Sequence, residues 1–96
     1  MKICWVFGVT GLPNPIRHPL RAKRTLAYIR DNMENMIGVY DDKKSGMMVF
    51  AFEDSGSAIR SANRLCFGLA QPRVPDVFRA QLSEDGVLTI LEAVNG

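Results

Sequence analysis

Two segments of this chain carry apolar residues at helical spacing, and each stands between short runs rich in β-branched and aromatic residues. That alternation constrains the fold more than any other feature. A stripe of period 3.6 and a run of period 2 are each half of a core, and each must bury its face against another element. In the first segment Ala22, Leu26, Ile29, Met33 and Met36 recur at steps of four, three, four and three. This spacing predicts an amphipathic helix of about four to five turns. Pro19 suits its first turn, where a missing N–H costs nothing. In the second segment Ala58, Ala62, Leu65 and Leu69 form the stripe, flanked by Ile59 and Cys66. Asp54, Ser55 and Ser57 offer capping oxygens ahead of it, and Gly68 and Pro72 mark its end.

The runs between the helices read as strands. Residues 2–9 are apolar, with Gly8 and Gly11 closing the run. Thr10 to His18 contains Pro13 and Pro15 and is expected to be a long loop. Residues 36–41 and 46–53 flank Asp42-Lys43-Lys44-Ser45-Gly46, a hairpin turn. Residues 77–82 and 87–94 flank Ser83-Glu84-Asp85-Gly86, whose Asp-Gly pair is a strong turn signal. The order is β-α-β-β-α-β-β over a single domain, residues 1–96. It predicts an α+β fold, the ferredoxin-like split βαβ plan (βαββαβ) with an additional C-terminal strand. Right-handed crossovers would place both helices on one face of an antiparallel sheet.

In that plan the first and third strands are central, and a central strand with one wet face should alternate apolar with polar. These do not. Ile3, Trp5, Phe7 and Val9 oppose Cys4 and Val6, and Met48, Phe50 and Phe52 oppose Met47, Val49 and Ala51. Apolar surface on the helix-free side marks an interface. The expected partner is a second copy, a homodimer through the open face, unless the final hairpin curls over it. Trp5, Met47 and Val49 are the candidate interface residues. Phe67 joins them, because its helical angle puts it outward beside Arg60 and Arg64, unless the Gln71-Pro72-Arg73-Val74-Pro75 loop folds over it.

The net charge is +2, too small to argue for nucleic acid alone. Its distribution says more: Arg17, Arg21 and Arg24 recur on one line of the first helix, with Tyr28 on the same line. That line is a candidate contact for an anion or a nucleic-acid backbone, with Tyr28 as a stacking platform. The acids fall mostly in turns, at Asp41-Asp42, Glu53-Asp54 and Glu84-Asp85, where short acids bond the backbone.

No catalytic or metal constellation is readable, and no cofactor is expected. Gly8 to Pro15 matches no phosphate-binding pattern, and its prolines remove N–H groups that a cradle would use. His18, the only histidine, has neither ligand partners nor an orienting acid. Cys4 and Cys66 form no C-x-x-C pair and fit buried thiols in a reducing compartment. Neither a secretory signal nor a run of about eighteen apolar residues is present. A cytoplasmic protein with no membrane partner is expected.

Lys44-Ser45-Gly46-Met47-Met48-Val49-Phe50-Ala51-Phe52-Glu53-Asp54, followed by Ala58 and Leu65, resembles the third strand and second helix of the RNA-recognition motif. The resemblance covers about a fifth of the chain. It implies the same strand-helix order. That family stacks bases on aromatic residues at the positions held here by Met47 and Val49. The expectation that follows from all of this is a non-enzymatic interaction module that self-associates through its sheet. The alternative is nucleic-acid or phosphorylated-ligand binding through the basic first helix.

Overall fold

A computed structural model describes residues 1–42, 45–69 and 71–94. Lys43 and Lys44, at the expected hairpin turn, lie outside the described residues. The elements run β1 (Lys2–Val9), α1 (Pro19–Asn32), β2 (Met36–Asp42), β3 (Met47–Phe52), α2 (Ser55–Gly68), β4 (Phe78–Leu82) and β5 (Leu88–Ala93). The five strands form one antiparallel sheet in the order β2-β3-β1-β4-β5. The protein is therefore α+β, with two helices and a five-stranded antiparallel sheet.

Register decides which side each residue takes. Trp5 stands opposite Phe52 and Phe7 opposite Phe50, while Cys4 stands opposite Ala80 and Val6 opposite Phe78. Residues opposite one another share a face, so the odd residues of β1 join Met48, Phe50 and Phe52 beneath the helices. There Phe7, Phe50 and Phe52 are fully buried with Val9, Val77, Ile29, Ala58, Ala62 and Leu65. The Phe7 ring centroid lies 5.3 Å from that of Phe52, stacked, and 5.6 Å from that of Phe50, tilted. Three large rings on the sheet are met by small residues on α2. Ala58 and Ala62 let that helix approach closely and leave the rings to fill the layer.

α2 begins at a complete cap. Asp54 Oδ1 accepts the Ser57 N–H at 2.8 Å, and its backbone carbonyl accepts the Ala58 N–H at 3.2 Å. Buried Ser57 donates its hydroxyl to Asp54 Oδ2 at 2.9 Å and accepts from Asn35 Nδ2 at 2.9 Å. Asn35 has φ 56°, a left-handed conformation that asparagine tolerates. Its carbonyl accepts the Glu53 N–H at 2.9 Å. The corner that leads from α1 into β2 is thereby tied to the corner that leads from β3 into α2.

Two expectations need correction, and one alternative is not realised. α1 ends at Asn32, so Met33 lies in the connection and Met36 opens β2, although both still pack against the helix-side core. Leu26 is 44% exposed rather than part of a buried stripe, because α1 turns only Ala22 and Ile29 fully inward. The final hairpin does not curl over the sheet. β5 extends it as an edge strand beside β4, with a register shift between Arg79 and Ala80.

Candidate functional site

The helix-free face of the sheet is the most distinctive surface of the molecule. At its centre Cys4, Val6, Ala51 and Ala80 are buried, although no helix covers them. Their neighbours explain this. Ile37, Tyr40, Val49, Phe78, Leu82 and Leu88 stand around these small residues and close over them. The side chains of β2 and β5 rise as walls and leave a trough of about 530 Å³ between them. It is lined by Val6, Val49, Phe78, Leu88 and Ile90, with Tyr40, Asp41 and Asp42 at one end.

Two glycines shape the floor. A Cβ on Gly38 would stand 2.9 Å from the Tyr40 hydroxyl and 3.1 Å from its ring, so the tyrosine lies back along its own strand. A Cβ on Gly8 would overlap the thioether of Met47, whose side chain rests across β1. Charge is confined to the ends. Lys2 lies 3.4 Å from Glu53 at one end, and Asp42 accepts the Ser45 hydroxyl at 2.9 Å near the other. Burial pushes the Cys4 thiol above its ordinary pKa, against a smaller opposite pull from Lys2. A thiol held protonated is a poor nucleophile. The face can exclude water and accept apolar groups.

The structure separates the residues that the sequence singles out. Met47 and Val49 belong to the helix-free face. Trp5 packs on the other side, half-buried against the helix-side core, because it shares its face with Phe7. Phe67 is 93% exposed on the last turn of α2, away from the sheet. The loop from Gln71 to Pro75 does not fold over it.

Of the basic line, Arg17 precedes the first turn of α1, and Arg21 and Arg24 are exposed on it. Tyr28 has left the line for the seam between the helices, where its hydroxyl donates to the Arg64 carbonyl at 3.2 Å. It offers no stacking surface beside the arginines. Arg60 and Arg64 are both engaged by Glu34. Arg60 Nε donates to Glu34 Oε1 at 2.7 Å, with Nη2 on the same oxygen, and Arg64 Nη1 reaches Oε2 at 3.2 Å. The hydrogen bonds from Arg60 first, and then those from Arg64, hold the Glu34 carboxyl below its ordinary range. His18 occupies the position before α1, and its side chain caps nothing there.

The trough walls Tyr40, Phe78, Leu88 and Ile90 escape sequence reading. The alternation of Phe78, Ala80 and Leu82 signals one apolar face of β4, but only the strand order brings Tyr40 and Ile90 to the two sides of one depression. Among the described residues no group of His, Cys, Asp and Glu has the arrangement of a metal site. No described helix is long and apolar enough to cross a membrane. Compared with protein-family models, curated proteins and solved structures, the chain matches none.

Proposed function

We propose that this chain is a non-enzymatic interaction module of the ferredoxin-like plan, a split βαβ with one added strand, that pairs with a second copy of itself through the helix-free face. One observation carries the reading. Between its Lys2 end and its Asp41-Asp42 end, the trough is walled by Val6, Val49, Phe78, Leu88 and Ile90, with no charged side chain among them. Apolar surface of this kind marks an interface on a small protein.

A second copy presents the same apolar trough, so a two-fold pairing of the face covers both at once. A two-fold axis perpendicular to the strands sets one trough over the other. The same operation lowers the exposed Ile90 of each copy toward the opposite trough.

Analytical ultracentrifugation over a wide concentration range tests this. The expected result is a reversible rise to twice the monomer mass. Ile90→Asp and Val49→Asp should both abolish it while leaving the far-ultraviolet circular dichroism unchanged. A wild-type chain that stays monomeric at high concentration sinks the reading.

A further inference from the structure

A second surface has no part in the sheet and faces away from it. Ahead of α1 the chain makes a closed turn: Asn14 Oδ1 accepts the N–H of Ile16 at 2.8 Å and of Arg17 at 3.2 Å, and its carbonyl accepts the His18 N–H at 2.8 Å. Pro13, Pro15 and Pro19 stiffen the same stretch. The side chains this held turn presents are exposed ones. Ile16 is 89% exposed, and Leu20 follows it four residues later at 62%.

Stepping 100° per residue, Leu20 projects from the side of α1 opposite buried Ala22 and Ile29, and Ile16 is exposed in the turn that leads into the helix. Arg21 and Arg24 lie along one flank of Leu20 and Lys23 along the other, and Arg17 follows Ile16 in the turn. Among the described residues none of these four cations is in an ion pair, in contrast to Arg60 and Arg64 on the neighbouring helix. No acid interrupts the segment before Asp31.

We propose that this rigid tip docks the protein onto an anionic lipid surface. Ile16 and Leu20 would enter the boundary between headgroups and acyl chains, and Arg17, Arg21, Lys23 and Arg24 would lie against the lipid phosphates. Interfacial contact of this kind requires no membrane-spanning helix. It requires a cationic face around a few exposed aliphatic side chains, and both are present here. A nucleic-acid backbone satisfies the arginines but leaves both aliphatic side chains in water. With Tyr28 turned into the interhelical seam, the surface also lacks the aromatic platform that single strands use.

Co-sedimentation with vesicles tests the assignment, using phosphatidylcholine with and without phosphatidylserine, alongside titration with a single-stranded oligonucleotide. The protein is expected to pellet with the phosphatidylserine vesicles, to stay in solution with phosphatidylcholine alone, and to be released by salt. Arg21→Ala/Arg24→Ala should weaken retention roughly thirtyfold, from two lost surface charges. Ile16→Ser/Leu20→Ser should weaken it at constant charge, and both variants should keep the wild-type circular dichroism because all four residues are exposed. An Ile16→Trp protein should shift its emission to the blue on the anionic vesicles. The proposal is overturned by failure to pellet. It is equally overturned by unchanged retention of Ile16→Ser/Leu20→Ser, or by tighter binding to the oligonucleotide than to the vesicles.

Discussion

The ring of Tyr28 occupies the space into which a side chain on Gly68 would project. A Cβ built on that glycine would overlap the phenol oxygen and the ring edge behind it. The two helices meet there, and the hydroxyl reaches past the glycine to the Arg64 carbonyl. Glycine within a helix ordinarily costs stability relative to alanine, by about 1 kcal/mol. Here Gly68→Ala is expected to destabilise by about 1–3 kcal/mol, because a flat ring packed on a helix cannot yield without leaving the seam. Tyr28→Ala should restore part of the loss, so a double-mutant cycle in urea should show coupling between the two positions.

Gly8 makes the opposite case. An added methyl there meets the thioether of Met47, the far part of an unbranched and flexible side chain. Gly8→Ala is therefore expected to cost less than Gly68→Ala, by about 1 kcal/mol or more. Urea midpoints of the two variants, measured side by side, check the ranking.

Phe7 is the ring on which the helix-side core turns, buried and in contact with both Phe50 and Phe52. Phe7→Ala should lose about 3–5 kcal/mol, and Phe7→Leu markedly less, since a leucine leaves a smaller void. A small domain has only about 5–15 kcal/mol in total, so the alanine variant should unfold at low denaturant or not fold at all. Thermal melts followed by circular dichroism distinguish the two.

Acid should unfold the protein through two carboxylates. Glu34 is held below its ordinary pKa first by the Arg60 hydrogen bonds, and Asp54 first by the Ser57 backbone N–H. The unfolded chain therefore takes up protons at these positions before the folded chain does. Their contribution is complete above the ordinary carboxylate range and is lost as pH falls through the lowered folded values. Denaturation midpoints compared at about pH 7 and about pH 3 should fall for the wild type. The fall should be shallower in Glu34→Gln/Asp54→Asn, and an unchanged acid limb would contradict the assignment.

Cys4 should be chemically silent in the folded state. It is fully buried on the trough floor with its thiol pushed up by burial, whereas Cys66 is partly exposed and donates to the Gln71 carbonyl at 3.4 Å. In a Cys66→Ser background, a thiol reagent should modify Cys4 roughly a thousandfold or more slower than an unfolded control. The rate should rise with denaturant in step with unfolding.

The element order is legible in the sequence because each element carries its own period and its own punctuation. The stripe from Ala58 to Leu69, the Asp54 cap and the Asp85-Gly86 turn are all local signals. Leu26 and Tyr28 are the instructive failures. Periodicity assigns each an angle around α1, but α2 lies off to one side of that helix at Gly68, so Tyr28 is drawn into the seam and Leu26 is left partly in water. Trp5 fails for a related reason. Two-sided apolar alternation in β1 shows that both faces are apolar, and only the pairing with Phe52 decides which one receives the indole. The Glu34 to Arg60 and Arg64 network joins residues 26 and 30 positions apart, a distance over which charge patterning carries no signal. The trough is hidden in the same way, since its walls come from opposite margins of the sheet.

The placement of β5 has a consequence for how the molecule comes apart. Its principal neighbour is β4, whereas α2 packs on β1 and β3 and α1 packs on α2. Releasing Leu88–Ala93 uncovers one flank of β4 and leaves the Phe7, Phe50 and Phe52 layer closed. The first four strands and both helices thus form a smaller structure nested inside the larger one, and β5 adds to it without being needed to hold it shut. Openings that release this strand alone are far less costly than those that expose the rings, so its amide hydrogens should exchange with solvent long before those of β1. The same strand carries Leu88 and Ile90 to the trough, which makes that wall the part of the fold most easily withdrawn.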